Sequence, residues 1–146
     1  MMDATALRWV TILGRAGLLP FVGLAVLLWL VHTDFQPWVA LALAAYGALI
    51  ASFLGGIHWG IGWSMPATQR SPVVHFGWGV VPSLLAWPGL LMPPLPGLAW
   101  MGALLLLCYA VDRPLYQRAG LSHWLGLRLQ LTTVAALSCF LGASAL

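Results

Sequence analysis

The sequence predicts an all-α integral membrane protein, built as a bundle of five transmembrane helices. Of its 146 residues, only 6% are charged, whereas 62% are hydrophobic. A soluble domain covers its surface with charged side chains, which form about a quarter of an average globular chain. This composition therefore makes lipid the natural surroundings of the chain. The basic residues are scattered singly, which argues against a nucleic-acid-binding surface.

Four clusters of Pro, Gly and polar residues divide the chain into five apolar segments. Such clusters end helices, and a transmembrane helix needs about 20 mostly apolar residues. The breaks fall at 33–37, 65–71, 93–96 and 113–122. Within a single domain of residues 1–146, the predicted helices are 15–32, 38–64, 72–92, 97–112 and 123–145.

The positions of the arginines predict the orientation. With the N-terminus in the cytoplasm and the C-terminus in the periplasm, five crossings place every arginine on the cytoplasmic side, as the positive-inside rule requires. These residues are Arg8, Arg15, Arg70, Arg113, Arg118 and Arg128. We therefore expect a multi-pass membrane protein in contact with membrane lipids.

The second predicted helix carries small residues at every fourth position. They are Ala44, Ala48, Ser52, Gly56 and Gly60. Small side chains at this spacing allow a second helix backbone to approach closely in a membrane. The pattern predicts helix packing, either within this chain or against a second copy or another subunit.

Two histidines fall within apolar segments near the same membrane face. His58 is predicted about two turns from the cytoplasmic end of the second helix, with Trp59 beside it, and His75 in the first turn of the third. An ionisable group within a span is expensive unless it is paired, so it is a candidate functional residue. The two imidazoles could bind a haem, a metal or a quinone, or could simply bond to neighbouring groups.

Further polar residues are predicted at the same face. Arg15 begins the first helix, Asp112 ends the fourth, and Arg128 and Gln130 lie within the first turns of the fifth. An Asp112–Arg128 ion pair is expected, because separating opposite charges inside the membrane costs several kcal/mol. Together with the two histidines and Trp59, these residues form the candidate ligand site, although the pattern favours a purely structural clamp. The sequence contains no metal-binding motif and specifies no cofactor.

Motifs typical of enzymes and pumps are absent from the sequence. The chain has no H-E-x-x-H, no G-x-S-x-G and no phosphate-binding loop. The predicted mid-membrane positions hold no acidic residue, which disfavours a proton-relay pump. The sequence therefore disfavours an enzymatic function.

Three stretches of the sequence resemble a known family. They are Gly14-Arg15-Ala16-Gly17-Leu18-Leu19-Pro20-Phe21, then Ala45-Tyr46-Gly47-Ala48 with Ser52-Phe53-Leu54-Gly55-Gly56-Ile57-His58-Trp59-Gly60, and Val81-Pro82-Ser83-Leu84-Leu85-Ala86-Trp87. The chain is similar through them to DUF3429, a family of small bacterial and mitochondrial membrane proteins that includes transmembrane protein 69. The resemblance implies a five-helix architecture and an inner-membrane location, and it transfers no catalytic residue. The tryptophan-rich sensory proteins, which bind porphyrins, share architecture and composition with the chain but not its sequence pattern.

Two hypotheses on function follow from these observations. The first is a non-enzymatic helix-packing protein, which self-associates or serves as an accessory or assembly subunit of a membrane complex. The second is a bundle that binds or transports a small molecule, such as a porphyrin, a quinone or a lipid, near His58 in the cytoplasmic leaflet.

Overall fold

The computed structural model describes residues 2–146, and the regular secondary structure of this part of the chain is entirely helical. A short 3-10 turn, Ser122–Trp124, precedes the last helix. The α-helices in chain order are α1 (Ala4–Ala16), α2 (Leu19–Leu30), α3 (Gln36–Ser64), α4 (Val73–Leu91), α5 (Pro94–Arg118) and α6 (Leu125–Ser144).

Five helical stretches of the described chain are long and apolar enough to cross a membrane. The first combines α1 and α2, and the other four correspond to α3, α4, α5 and the last stretch, Ser122–Ser144. Short connections join them, so consecutive spans are antiparallel neighbours. The structure confirms the predicted bundle of five transmembrane helices.

The connections at 65–72 and 119–121 lie at the same end of this bundle. We call it the arginine end, because Arg70 lies in the first connection and Arg118 directly before the second. The other end carries the connections at 31–35 and 92–93. There Gln36 donates hydrogen bonds to the carbonyls of Leu28 and Ala145, at 3.1 and 3.2 Å, and so ties the ends of α2 and α6 together.

The first span begins earlier than predicted. Helix α1 begins at Ala4, where the Asp3 carboxylate accepts a hydrogen bond from the backbone of Ala6 and caps the helix. The break between α1 and α2 follows from Pro20, which has no N–H and crowds the preceding turn. At this kink the Tyr46 hydroxyl donates to the carbonyl of Gly17 at 2.8 Å, which gives this carbonyl oxygen a hydrogen-bond partner.

The fourth span ends later than predicted. The expected break after Asp112 was wrong, because α5 continues through Pro114 to Arg118. Pro114 removes one bond of the helical ladder, the one its N–H would donate to the carbonyl of Ala110, and the helix continues in spite of this loss. The final turn is held by packing, since Leu115 and Tyr116 are both buried. Asp112 therefore lies inside a helix, six residues before its end.

Helix α3 occupies the centre of the bundle, in contact with α2, α4, α5 and α6. Its glycines allow the closest contacts: Gly55 lies against the backbone of Gly79 in α4, and Gly47 against Met101 in α5. In contrast, no described residue of α1 is buried, and this helix contacts α6. The α1 part of the first span thus lies on the outside of the bundle, whereas α2 contributes Phe21, Ala25 and Leu28 to the core.

Candidate functional site

A buried carboxylate, Asp112, forms the centre of a polar cluster at the arginine end. Its Oδ1 atom accepts hydrogen bonds from Nε2 of His58 and from the indole of Trp78, both at 2.7 Å. Its Oδ2 atom accepts one from the Arg128 guanidinium, also at 2.7 Å. Asp112 is 1% exposed and Arg128 is 2% exposed. Three donors around one carboxylate hold it in the ionised form, and the expected Asp112–Arg128 ion pair is present.

The two histidines are hydrogen-bonded to each other. Their Nδ1 atoms lie 3.0 Å apart, and their ring centroids lie 5.3 Å apart in a stacked arrangement. Because Nε2 of His58 donates to Asp112, the neutral form of His58 must accept at Nδ1. His75 therefore donates from its Nδ1. One continuous chain of hydrogen bonds runs from His75 through His58 to Asp112.

Arg128 lies at the far end of this chain of hydrogen bonds, beyond Asp112. Its guanidinium bonds to Asp112 and to the hydroxyl of Thr132, one turn further along α6. In the described part of the protein its Nε atom has no hydrogen-bond partner, and neither does the hydroxyl of Tyr116. The Tyr116 ring packs 5.4 Å from the ring of His58. Two buried polar atoms of the cluster therefore lack a hydrogen-bond partner among the described residues.

The helices bring these side chains together from four spans. His58 lies six residues before the end of α3, and Asp112 six residues before the end of α5. At 1.5 Å per residue, this places both about 9 Å below the helix ends. His75 is in the first turn of α4, and Arg128 is in the first turn of α6. The cluster can therefore bear charge, hold four spans in register and pass protons between imidazoles.

A cavity of about 420 Å³ lies beside the cluster, beneath the kink of the first span. Its walls are almost entirely apolar, with Arg128 and Thr132 as the polar side chains that line it. The walls come from α1 and α2 on one side and from α3, α5 and α6 on the other. Small-molecule sites are typically concave, apolar and roughly 300–1,000 Å³ in volume, with few polar groups. The cavity has this character.

The predicted site residues separate into two groups. His58, His75, Asp112 and Arg128 form the cluster, and of these Arg128 also lines the cavity. The other three, Arg15, Gln130 and Trp59, are exposed on the outside of the bundle. The Trp59 indole donates to the backbone carbonyl of Phe76 at 3.1 Å, so it joins α3 to α4.

Three members of the site were not predicted from the sequence: Trp78, Tyr116 and Thr132. Each follows a predicted residue by one helical turn, Trp78 after His75, Tyr116 after Asp112 and Thr132 after Arg128. Residues three or four positions apart share a helix face. That spacing is the signal by which the sequence could have indicated them.

The predicted line of small residues is divided between two environments. Ala44 and Ala48 are buried, whereas Ser52, Gly56 and Gly60 are exposed. A side chain added at Gly56 or Gly60 would meet no described atom within 4 Å outside its own helix. A line of every fourth residue winds by about 40° per step around a helix of 3.6 residues per turn. Over four steps it passes from the core to the surface.

Comparison with known proteins places these features in a family. A family model described as "Protein of unknown function (DUF3429)" matches residues 6–144. Transmembrane protein 69 of Xenopus tropicalis is 46% identical over 79 residues, which cover 54% of this chain and 31% of that protein. Transmembrane protein 69 of Mus musculus is 28% identical over 124 residues, which cover 84% of this chain and 50% of that protein.

The chain thus spans half or less of the length of these relatives. No solved structure matches it. The family match extends from α1 to the end of α6 and includes every residue of the buried cluster. On this evidence the chain belongs to the DUF3429 family of membrane proteins, as its sequence motifs predicted.

Proposed function

We propose that this protein binds a lipid-like small molecule within the membrane, in the cavity beneath the kink of the first span. One observation carries the proposal: an otherwise apolar cavity of about 420 Å³ has the buried Arg128 and its partner Thr132 on its wall. An amphiphile can place its chain against the apolar wall and its polar group against these side chains. The ligand site lies next to the polar cluster, because Arg128, which lines the cavity, shares Asp112 with His58.

Orientation and location form part of the same proposal. The arginines gather at one end of the bundle, which favours a cytoplasmic N-terminus and a periplasmic C-terminus. The ligand would then enter from the cytoplasmic leaflet of the bacterial inner membrane. Its route would pass α1, the helix with the loosest attachment to the bundle.

Electron paramagnetic resonance with a spin-labelled stearic acid methyl ester tests this proposal. The purified protein in a maltoside detergent should give an immobilised fraction of the probe. Ile50 lines the cavity, and its neighbour Leu49 faces outward. The variant Ile50→Trp should remove most of the immobilised fraction, while the matched variant Leu49→Trp should retain it. Equal fractions in both variants would contradict the proposal, because the probe would then be bound elsewhere.

A second candidate function is association with another helix, as a self-associating protein or as a subunit of a membrane complex. The exposed Ser52, Gly56 and Gly60 support it, because they form a smooth face on which a second backbone can approach closely. Native mass spectrometry of the Gly56→Leu variant distinguishes this function. Association would be supported if the wild type forms an oligomer and the variant does not, while the variant still binds the ester. A wild type and variant that are both monomeric would count against it.

A further inference from the structure

We infer that the ligand of this cavity is a single-chain amphiphile with an anionic head group, which binds at Arg128 together with one proton taken up by the His58–His75 pair. The inference rests on the proposed ligand site and adds the chemical class of its ligand. It also assigns a role to the chain of hydrogen bonds behind the cavity.

The first argument concerns the head group. A guanidinium has five N–H donors in a planar fork that matches a carboxylate. In Arg128, two nitrogens bond to Asp112 and Thr132, whereas Nε has no partner within residues 2–146. An unpaired donor in a buried position is costly. An anionic oxygen arriving from the cavity, whose wall includes Arg128, supplies the missing acceptor.

The second argument concerns charge. In the cluster, the negative charge of Asp112 balances the positive charge of Arg128, and the two histidines are neutral in the hydrogen-bond pattern described above. An added anion would leave one uncompensated negative charge inside the membrane, where such a charge is expensive. One additional proton restores neutrality. This balance favours a head group with a single negative charge, such as a long-chain carboxylate.

The third argument is that the cluster can accept this proton without moving a heavy atom. The incoming proton binds Nε2 of His75, and the proton on Nδ1 of His75 passes across the 3.0 Å contact to Nδ1 of His58. One N–H bond forms at each acceptor nitrogen, and one breaks at Nδ1 of His75. His58 becomes an imidazolium that donates to Asp112 on one side and to His75 on the other. His75 ends as the opposite neutral tautomer.

The surroundings of His58 support this assignment. The titratable and charged groups that face it from the packed helices are His75 of α4, Asp112 and Tyr116 of α5, and, through Asp112, Arg128 of α6. Asp112 stabilises a positive charge on His58, and Arg128 opposes it. An anion bound at Arg128 removes that opposition. Proton uptake and anion binding therefore strengthen each other by the same factor.

A permanently charged probe tests the inference. Hexadecanesulfonate stays ionised at every working pH, so a proton taken up on its binding must go to the protein. We expect it to displace the spin-labelled ester at least tenfold more effectively than hexadecanol does. Calorimetric titration in buffers of different ionisation enthalpy should show uptake of about one proton per bound sulfonate near neutral pH.

Three variants test which residues bind the anion and which take up the proton. Arg128→Gln should lose the preference for sulfonate over hexadecanol, whereas the matched variant Leu49→Trp, altered outside the cavity, should retain it. His58→Gln and His75→Gln should bind sulfonate with little proton uptake, and the use of two positions guards against a variant that fails to fold. Equal affinity for sulfonate and hexadecanol, no proton uptake, or uptake that survives in both histidine variants would overturn the inference. If the ester itself does not bind, the proposed ligand site is wrong, and the head-group inference falls with it.

Discussion

Gly55 of α3 and Gly79 of α4 are in backbone contact. A Cβ atom placed on Gly79 would lie 2.8 Å from the carbonyl oxygen of Gly55, and one placed on Gly55 would overlap the carbonyl of Gly79. Packing in membranes is driven by such close approaches, because lipid is as apolar as the side chains. This contact lies one turn from His58, so it also fixes the distance between the two histidine-bearing helices.

The Gly55→Ala variant should therefore be less stable than the wild type. Overpacking of a tight contact typically costs about 1–3 kcal/mol, and the neighbouring Gly56 provides a matched control with open space around it. Gly56→Ala should be neutral, or stabilising by up to about 1 kcal/mol, because alanine favours the helix. Thermal unfolding in detergent checks the comparison. Equal melting temperatures for the two variants would contradict the close contact.

The Asp112→Asn variant should lose about 3–5 kcal/mol, because it leaves the buried charge of Arg128 without its counter-ion. The double variant Asp112→Asn/Arg128→Gln should be more stable than the sum of the single losses implies, since it removes both charges. Asp34→Asn serves as the control. Its pair with His32 is exposed, so the loss should stay below about 1 kcal/mol. Denaturant unfolding of the wild type, Asp112→Asn, Arg128→Gln and the double variant gives the coupling energy, and additive losses would argue against a buried pair.

The Tyr46→Phe variant should loosen the kink of the first span. It removes the donor to the half-buried Gly17 carbonyl and should cost about 0.5–1.5 kcal/mol, the typical net contribution of one hydrogen bond. Tyr109 has no hydrogen bond from its hydroxyl in the described chain, so Tyr109→Phe is the matched control. Hydrogen exchange of α1 and α2 provides the measurement. It should be faster in the first variant and unchanged in the second.

Cysteine labelling tests the orientation of the bundle. The native thiols of Cys108 and Cys139 are buried, so they should react slowly with a membrane-impermeant maleimide. In spheroplasts, Arg70→Cys and Arg118→Cys should both be protected from the external reagent, because both lie at the arginine end. Thr33→Cys, in the connection at the opposite end, should react. Labelling of 70 and 118 from opposite sides would exclude the proposed orientation and the five-span arrangement.

Much of the fold could be predicted from the sequence because its signals are local. Apolar length determines where a helix can cross the bilayer, and the spacing of the arginines indicates how the crossings alternate. The bounds of α5 were less predictable. Proline is usually a helix-ending signal, but the burial of Leu115 and Tyr116 carries the helix past Pro114. That burial is a tertiary contact, which a local pattern does not contain.

The site was predictable to the extent that its members are ionisable. His58, His75, Asp112 and Arg128 attract attention because each charge or imidazole sits within an apolar segment. Gln130 is not part of the cluster. It follows Arg128 by two residues, which is a rotation of about 200° around the helix. Because Arg128 faces inward, Gln130 faces outward. Trp78 lies one helical turn after His75, and this spacing indicates a shared helix face but does not identify the partner of the indole. Its bond to Asp112 depends on how α4 packs against α5.

The sequence by itself determined that this chain is a multi-pass membrane protein with its arginines at one end, because scarcity of charge and the length of apolar segments are properties of the chain alone. Only the tertiary structure decided which polar groups meet, which small residues face the core, and that Arg128 opens onto a cavity. Those outcomes depend on the rotation of each helix about its axis. That rotation is set by contacts between residues far apart in the chain, such as Gly55 with Gly79.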